Sequence, residues 1–178
     1  DEKWDALLDQ LTPSDYQTLI TQSGYGTAAI KSVDKPSTTD RDSATGLINY
    51  GFDASGNLYF KGNITHCGVI VLAQTYNDDL AYHYGENIGD ESYYLGVDGW
   101  YAPAVNMHRT AFSGRNSEYY SEDPFVGGHI ASLECEGVAS RGMYVFVKHY
   151  AINDQEDHRG DREGQYSICL LYTSDAAD

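Results

Sequence analysis

One feature above all limits what this chain can fold into. Three short apolar runs, 68–73 (Gly-Val-Ile-Val-Leu-Ala), 100–105 (Trp-Tyr-Ala-Pro-Ala-Val) and 144–147 (Tyr-Val-Phe-Val), each give way to polar or charged residues. Runs of this length read as strands buried on both faces of a parallel sheet, although Pro103 weakens the second. Between them lie stretches with helical signals. Asn77 can cap a helix whose first turn holds Asp78 and Asp79 and whose apolar positions are Leu80, Tyr84 and Ile88. Ser121-Glu122-Asp123-Pro124 opens another, reaching about Arg141-Gly142. The order strand, helix, strand, helix, strand implies right-handed crossovers, in either an open doubly wound sheet or a closed (β/α) barrel. Both architectures place the ligand site at the carboxyl ends of the strands.

The first third of the chain reads differently. Trp4, Leu7, Leu8 and Leu11 share one helical face. Thr12-Pro13-Ser14-Asp15 then supplies a capping hydroxyl, a proline at the first helical position and an acid, with Tyr16, Leu19 and Ile20 continuing the stripe and Gly24 as the expected stop. Residues 24–66 lack a sustained period and are expected to be mostly irregular, with a hairpin around 53–57. Within them Gly24-Tyr25-Gly26-Thr27-Ala28-Ala29 fits G-x-G-x-x-A, but a helix precedes it, whereas a dinucleotide site needs strand, turn and helix in that order.

Composition removes several classes of function. A net charge of −16 excludes a nucleic-acid binder working by phosphate neutralisation. No run approaches the roughly 18–20 apolar residues of a membrane span. With 41% hydrophobic residues and 16 tyrosines the chain can build one core. Cys67, Cys135 and Cys169 form neither a disulfide framework nor a thiolate zinc site, and the six histidines lack a paired ligand spacing, so no metal or cofactor is expected. G-x-S-x-G, H-E-x-x-H and P-loop motifs are absent from the sequence. Residue 1 is Asp, with no basic-then-apolar leader behind it, so the true start is expected to be missing. Residues 169–178 back-translate to a sequencing-adapter stretch and are expected to be a non-native tail.

The residues that carry most information are Arg115, Lys148, His149 and Arg159. Lys148 and His149 directly follow a buried run, which puts two donors at a strand mouth. Asp42, Glu118 and Glu122 stand apart from the other acids because they lie in loops beside Arg115 or glycine-containing turns. Two readings stay open: a solvated strand end, or a set of directional partners for sugar hydroxyls or an anion.

Three ordered motifs carry a resemblance. They are Ala-Pro-Ala-Val-Asn-Met-His-Arg at 102–109, Ser-Gly-Arg-Asn-Ser-Glu-Tyr-Tyr-Ser-Glu-Asp-Pro at 113–124, and Lys-His-Tyr-Ala-Ile-Asn-Asp-Gln-Glu-Asp-His-Arg at 148–159. Together with Lys35-Pro36 and Thr75-Tyr76-Asn77 they resemble the amino-terminal domain of family-3 glycoside hydrolases. The resemblance implies an α/β fold, residues 1–168 forming an incomplete TIM-type (β/α)8 barrel fragment whose second domain is missing. It implies a retaining, exo-acting, β-glucosidase-like hydrolase acting on a β-linked glucoside or related oligosaccharide, without nucleic-acid or membrane partners and without a cofactor. A non-catalytic carbohydrate-binding protein is the alternative. By motif, Asp42, Arg115, Lys148, His149 and Arg159 resemble the residues that bind the non-reducing-end sugar. No catalytic residue is assigned, because the family's nucleophilic Asp and acid/base Glu belong to later segments. The chain by itself is therefore expected to be inactive, and Ser174-Asp175 only imitates the nucleophile's setting. The family's Asp-Gly-Pro-x-Gly turn appears here as Asp42-Ser43-Ala44-Thr45-Gly46, and Ile48 stands where many members carry Arg. The residues after His149 lack the Pro-Gly-His-Gly stretch of the N-acetylglucosaminidase branch, which favours a β-glucosidase or β-xylosidase type.

Overall fold

A computed structural model of the chain describes residues 2–60, 62, 64–151, 153, 154 and 156. The expected tail at 169–178, Cys169 and Arg159 lie outside the described residues.

Local chemistry sets the amino-terminal helices. Helix α1 (Glu2–Leu8) leads into α2 (Pro13–Thr21), whose entry is a capping box. Thr12 Oγ1 accepts the Asp15 N–H, and Asp15 Oδ2 accepts the Thr12 N–H at 2.8 Å. Helix α2 stops at Thr21 with Gln22 as its cap, and Gly24 is not the stop. Gly24 belongs to β1 (Ser23–Gly24), which turns back on β2 (Gly26–Thr27). The glycine-rich segment is thus a hairpin corner, followed only by a single 3-10 turn at Lys31–Val33 and not by the α-helix that would aim amides at a pyrophosphate.

The segment expected to be irregular holds more order than its composition suggests. Strand β2 pairs with β3 (Thr38–Asp42), and a separate hairpin joins β4 (Tyr50–Phe52) to β5 (Leu58–Phe60). Its turn lies at the expected 53–57, where Asp53 Oδ1 accepts the N–H groups of Ser55 and Asn57.

The first expected strand is a correction. Residues 69–74 form helix α3 (Val69–Gln74), with Val69, Leu72 and Ala73 buried at helical spacing and Val71 facing out. A six-residue apolar run satisfies either period, and here packing selected the helix. The strand that opens the parallel sheet is β3 instead. Its sequence, Thr-Thr-Asp-Arg-Asp, hides it, because Asp40 is buried and satisfied by the Tyr144 hydroxyl at 2.5 Å, a partner 104 residues away.

Strand β3 pairs in parallel with β6 (Gly99–Tyr101), which pairs in parallel with β7 (Tyr144–Val145). The crossover from β3 to β6 runs through α3 and α4 (Asp78–Leu95), and that from β6 to β7 through α5 (Pro124–Ser140). This strand–helix–strand repeat of parallel strands is the unit of a TIM-type (β/α)8 barrel, so the expected alternation holds although its first strand is β3. Asn77 caps α4 through its side-chain oxygen, as expected, and within the expected opening at 121–124 it is Asp123 that caps α5. In α4 the buried stripe is Ala81, Tyr84 and Ile88, whereas Leu80 is exposed.

Helices α4 and α5 approach almost backbone to backbone. A Cβ on Gly85 would lie 2.0 Å from the Glu134 carbonyl oxygen, and one on Gly137 would lie 2.1 Å from the Tyr82 carbonyl oxygen. Side-chain-free positions on both helices therefore set their spacing. Strand β6 ends at Tyr101 because Pro103 cannot donate to a ladder, but parallel pairing resumes at Ala104 opposite Lys148. The Lys148 N–H donates to the Pro103 carbonyl at 3.0 Å and its carbonyl accepts from Val105 at 2.7 Å. That anchoring fixes the backbone from which Lys148 projects.

Candidate active site

Asp42 is the last residue of β3, and Lys148 follows β7 at the same, carboxyl, end of the parallel strands. Buried Trp100 holds the turn between them and the next segment: its indole N–H donates to the carbonyls of Ser43 at 2.8 Å and Gly46 at 2.9 Å. Ser43 adopts φ 136°, a region that favours glycine, while its amide donates to Asp42 Oδ1 at 2.8 Å. The turn thus orients the Asp42 carboxylate at some conformational cost.

A cavity of about 590 Å³ opens at these strand ends, lined by Asp42, Arg115, Glu118 and Lys148 together with Tyr25, Ile48 and Tyr50. Its charged lining is one chain of contacts. Lys148 Nζ lies 2.5 Å from Asp42 Oδ1 and 3.1 Å from Glu118 Oε1. Arg115 grips Glu118 Oε2 from the other side, with Nε at 2.7 Å and NH2 at 2.6 Å, and reaches Glu156 at 3.4 Å. Burial alone would raise Glu118, but the Arg115 bond and the Lys148 charge outweigh it and hold the carboxyl below its ordinary range. Burial works against the Arg115 charge, and the bond to Glu118 overcomes it and raises that guanidinium. Glu118 is therefore an ionised acceptor held between two donors, Lys148 and Arg115.

His149 stands behind this row. The Arg115 guanidinium, which can only donate, meets His149 Nε2 at 2.9 Å, so the ring proton sits on Nδ1. Nδ1 in turn faces the Tyr119 hydroxyl at 3.2 Å and Asn106 Oδ1 at 3.3 Å. Asn106 also clamps the His149 backbone, accepting its N–H at 2.7 Å and donating to its carbonyl at 3.1 Å.

Of the sequence-derived site residues, Asp42, Arg115 and Lys148 line the cavity, and His149 touches Arg115 without lining it. Arg159 lies outside the described residues. Glu118 and Glu122 looked alike in sequence, yet only Glu118 enters the cavity; Glu122 borders a separate cleft beside Tyr120. Sequence reasoning missed Asn106 as an anchor and Tyr25 and Tyr50 as walls, since among 16 tyrosines nothing local marks those two. No group of three or more His, Cys, Asp or Glu among the described residues is arranged to hold a metal ion.

Parallel strands joined by helices, with a charged cavity at their carboxyl ends, define a barrel-type α/β protein whose cavity lies where such folds carry their sites. Comparison with known proteins makes the class specific: the family model for the glycosyl hydrolase family 3 N terminal domain matches residues 56–167, and the chain belongs to that family. Beta-glucosidase A of Butyrivibrio fibrisolvens is 39% identical over 97 residues, covering 54% of this chain and 12% of that protein. Beta-glucosidase B of Emericella nidulans is 40% identical over 103 residues, covering 56% of this chain and 12% of that protein. Among solved structures, beta-glucosidase 3B from Thermotoga neapolitana in complex with alpha-D-glucose matches with a TM-score of 0.74 and 33% identity, over 86% of this chain and 24% of that one. The chain thus spans about an eighth of these curated relatives.

Proposed function

We propose that this chain is the sugar-gripping part of a retaining, exo-acting, β-glucosidase-like hydrolase. One observation carries the reading: the unbroken row Asp42, Lys148, Glu118, Arg115 lining one cavity at the strand ends. A sugar ring presents adjacent hydroxyls that each donate and accept. Carboxylates accept from such hydroxyls, and the neighbouring cations donate to them, so one row of alternating acceptors and donors suits one face of the ring. His149 acts through Arg115, fixing the plane of the guanidinium, and Asn106 fixes His149.

The chemistry itself is assigned elsewhere in a longer protein. A retaining glycosidase needs a nucleophilic carboxylate about 5–5.5 Å from an acid/base carboxyl, and the acid must have a raised pKa. Glu118 is lowered, the opposite of what protonating a leaving group requires. Glu118 therefore serves in binding, and the bonds that ring hydroxyls make with Asp42 and Lys148 strengthen as the oxocarbenium-like transition state forms. The similar proteins carrying the name beta-glucosidase support glucose as the sugar.

The test is to express the longer coding region that contains this chain and to follow hydrolysis of an aryl β-glucoside by proton NMR. Release of the β-anomer first is expected. Release of the α-anomer first, or no turnover of any β-glucoside, would overturn the reading.

A further inference from the structure

The turn that presents Asp42 is supported from outside. Ser43, Ala44 and Thr45 continue the cavity wall from Asp42, and the backbone at Thr45 and Gly46 meets a second segment, residues 64–67, which lies between β5 and α3. The His66 N–H donates to the Thr45 carbonyl at 2.8 Å, and Gly46 pairs antiparallel with Thr65. The approach is close: a Cβ on Gly46 would lie 2.5 Å from the Ile64 carbonyl oxygen. The place of residues 64–67 therefore sets the place of the far half of the turn.

That segment is tied to the core through α4. Ile64 itself is 55% exposed and anchors little by its side chain. Instead Glu91 Oε1 accepts the Ile64 N–H at 2.8 Å, and the Tyr84 hydroxyl donates to the Cys67 carbonyl at 2.9 Å. Tyr84 and Glu91 lie seven residues apart on α4, two turns along one face, so the helix grips both ends of the segment. Glu91 is buried, and a carboxyl at that depth is costly unless it is bonded. Its Oε2 faces His66 Nε2 at 3.7 Å and has no hydrogen-bond partner among the described residues, which leaves the bond from Ile64 as its firm one. Glu91 does not line the cavity.

Resting on the sugar-binding reading above, we infer that Glu91 is a positioning residue for Asp42: by holding residues 64–67 against the turn, it fixes the carboxylate where a sugar hydroxyl meets it. The contacts run from Glu91 to Ile64, through Thr65 and His66 to Gly46 and Thr45, and back to Ser43, whose amide donates to Asp42. From the core side, Trp100 holds the carbonyls of Ser43 and Gly46. The turn is thus clamped between β6 and residues 64–67. With Ser43 at φ 136°, a turn released by one of its two supports relaxes away from that conformation. A carboxylate displaced by even about 1 Å loses much of its effect on bonds that strengthen in the transition state.

The experiment is a double-substitution cycle in the longer enzyme, read as kcat/KM on an aryl β-glucoside, with the fold of each variant checked by near-UV circular dichroism. Glu91→Leu removes the acceptor and should lower kcat/KM roughly 10- to 50-fold, and no further than Asp42→Ala does. Glu91→Gln keeps an oxygen for the Ile64 N–H and should stay within about threefold of the unmodified enzyme. In the Asp42→Ala background, where no carboxylate remains to be placed, Glu91→Leu should cost less than about twofold. Ile64→Pro removes the donor of the same bond from the exposed side, should reproduce both results, and carries the test if Glu91→Leu does not fold. Unchanged kcat/KM in either folded variant, a loss in Glu91→Gln as deep as in Glu91→Leu, or a loss that persists undiminished on top of Asp42→Ala would overturn the inference and leave the sugar-binding reading standing. Full activity of Asp42→Ala by itself would overturn that reading, and the inference with it.

Discussion

Glu134 offers a sharp stability experiment. It sits on α5 with no exposure, its Oε2 accepts the Tyr120 hydroxyl, and its Oε1 has no partner. The titratable groups around it are Tyr84 from α4, Tyr120, and Cys135 of α5 itself, none of them cationic. Burial pushes its carboxyl from 4.5 up to about 8, against a smaller opposing effect of the Tyr120 bond. The folded chain therefore binds a proton that the unfolded chain has released throughout that window. Stability is fully present below the unfolded value and falls as pH rises, by about 1.4 kcal/mol per pH unit, until the folded carboxyl ionises. Across the whole window the loss is roughly 5 kcal/mol. Glu134→Gln keeps the shape and cannot ionise, so subtracting its urea-unfolding free energy from that of the unmodified chain cancels every other titration. Measured from pH 5 to 9, the difference should fall with that slope to about pH 8 and then level. A difference constant within about 0.5 kcal/mol would refute the assignment of a neutral, buried Glu134.

Other consequences can be checked in the same way. Gly137→Ala should cost about 3 kcal/mol by urea unfolding, because its Cβ would collide with the Tyr82 carbonyl. Gly128→Ala on the same helix, with nothing within 4 Å, should instead gain about 0.5–1 kcal/mol. Ser43→Gly relieves a φ of 136° while keeping the backbone bonds to Asp42 and Trp100, and should raise the unfolding free energy by about 1 kcal/mol. In the longer enzyme, Lys148→Ala should lower kcat/KM on an aryl β-glucoside roughly 10- to 1000-fold, or about 1.4–4 kcal/mol, with the fold retained by circular dichroism.

What could be read in advance was what the chain encodes locally. Asn77 caps α4, and α5 opens within 121–124, because capping and proline signals act within about three residues of themselves, and the Asp53 turn is equally local. What depends on distant partners stayed hidden. Strand β3 is polar, and its Asp40 becomes tolerable inside only through Tyr144. The run at 68–73 was too short to separate a strand from a helix, and burial of Val69, Leu72 and Ala73 decided it. In the site, Asp42, Arg115 and Lys148 were marked by their places at strand ends and in motifs. The position of His149 behind Arg115 could not be, since adjacency in sequence does not say which of two side chains meets the cavity.

The central claim is that Asp42 and its cationic partners hold a sugar ring. It is tested most directly by the affinity of the chain for D-glucose before and after Asp42→Asn, with folding verified in both. Asp42 already accepts from Lys148 Nζ, the Tyr25 hydroxyl and the Ser43 amide, so the substitution removes a charged acceptor from an intact setting. Loss of charge-assisted bonds worth about 1.5–3 kcal/mol predicts that affinity drops at least tenfold. Equal affinity in the two proteins would contradict the account and leave the row of charges as a purely structural feature of the strand ends.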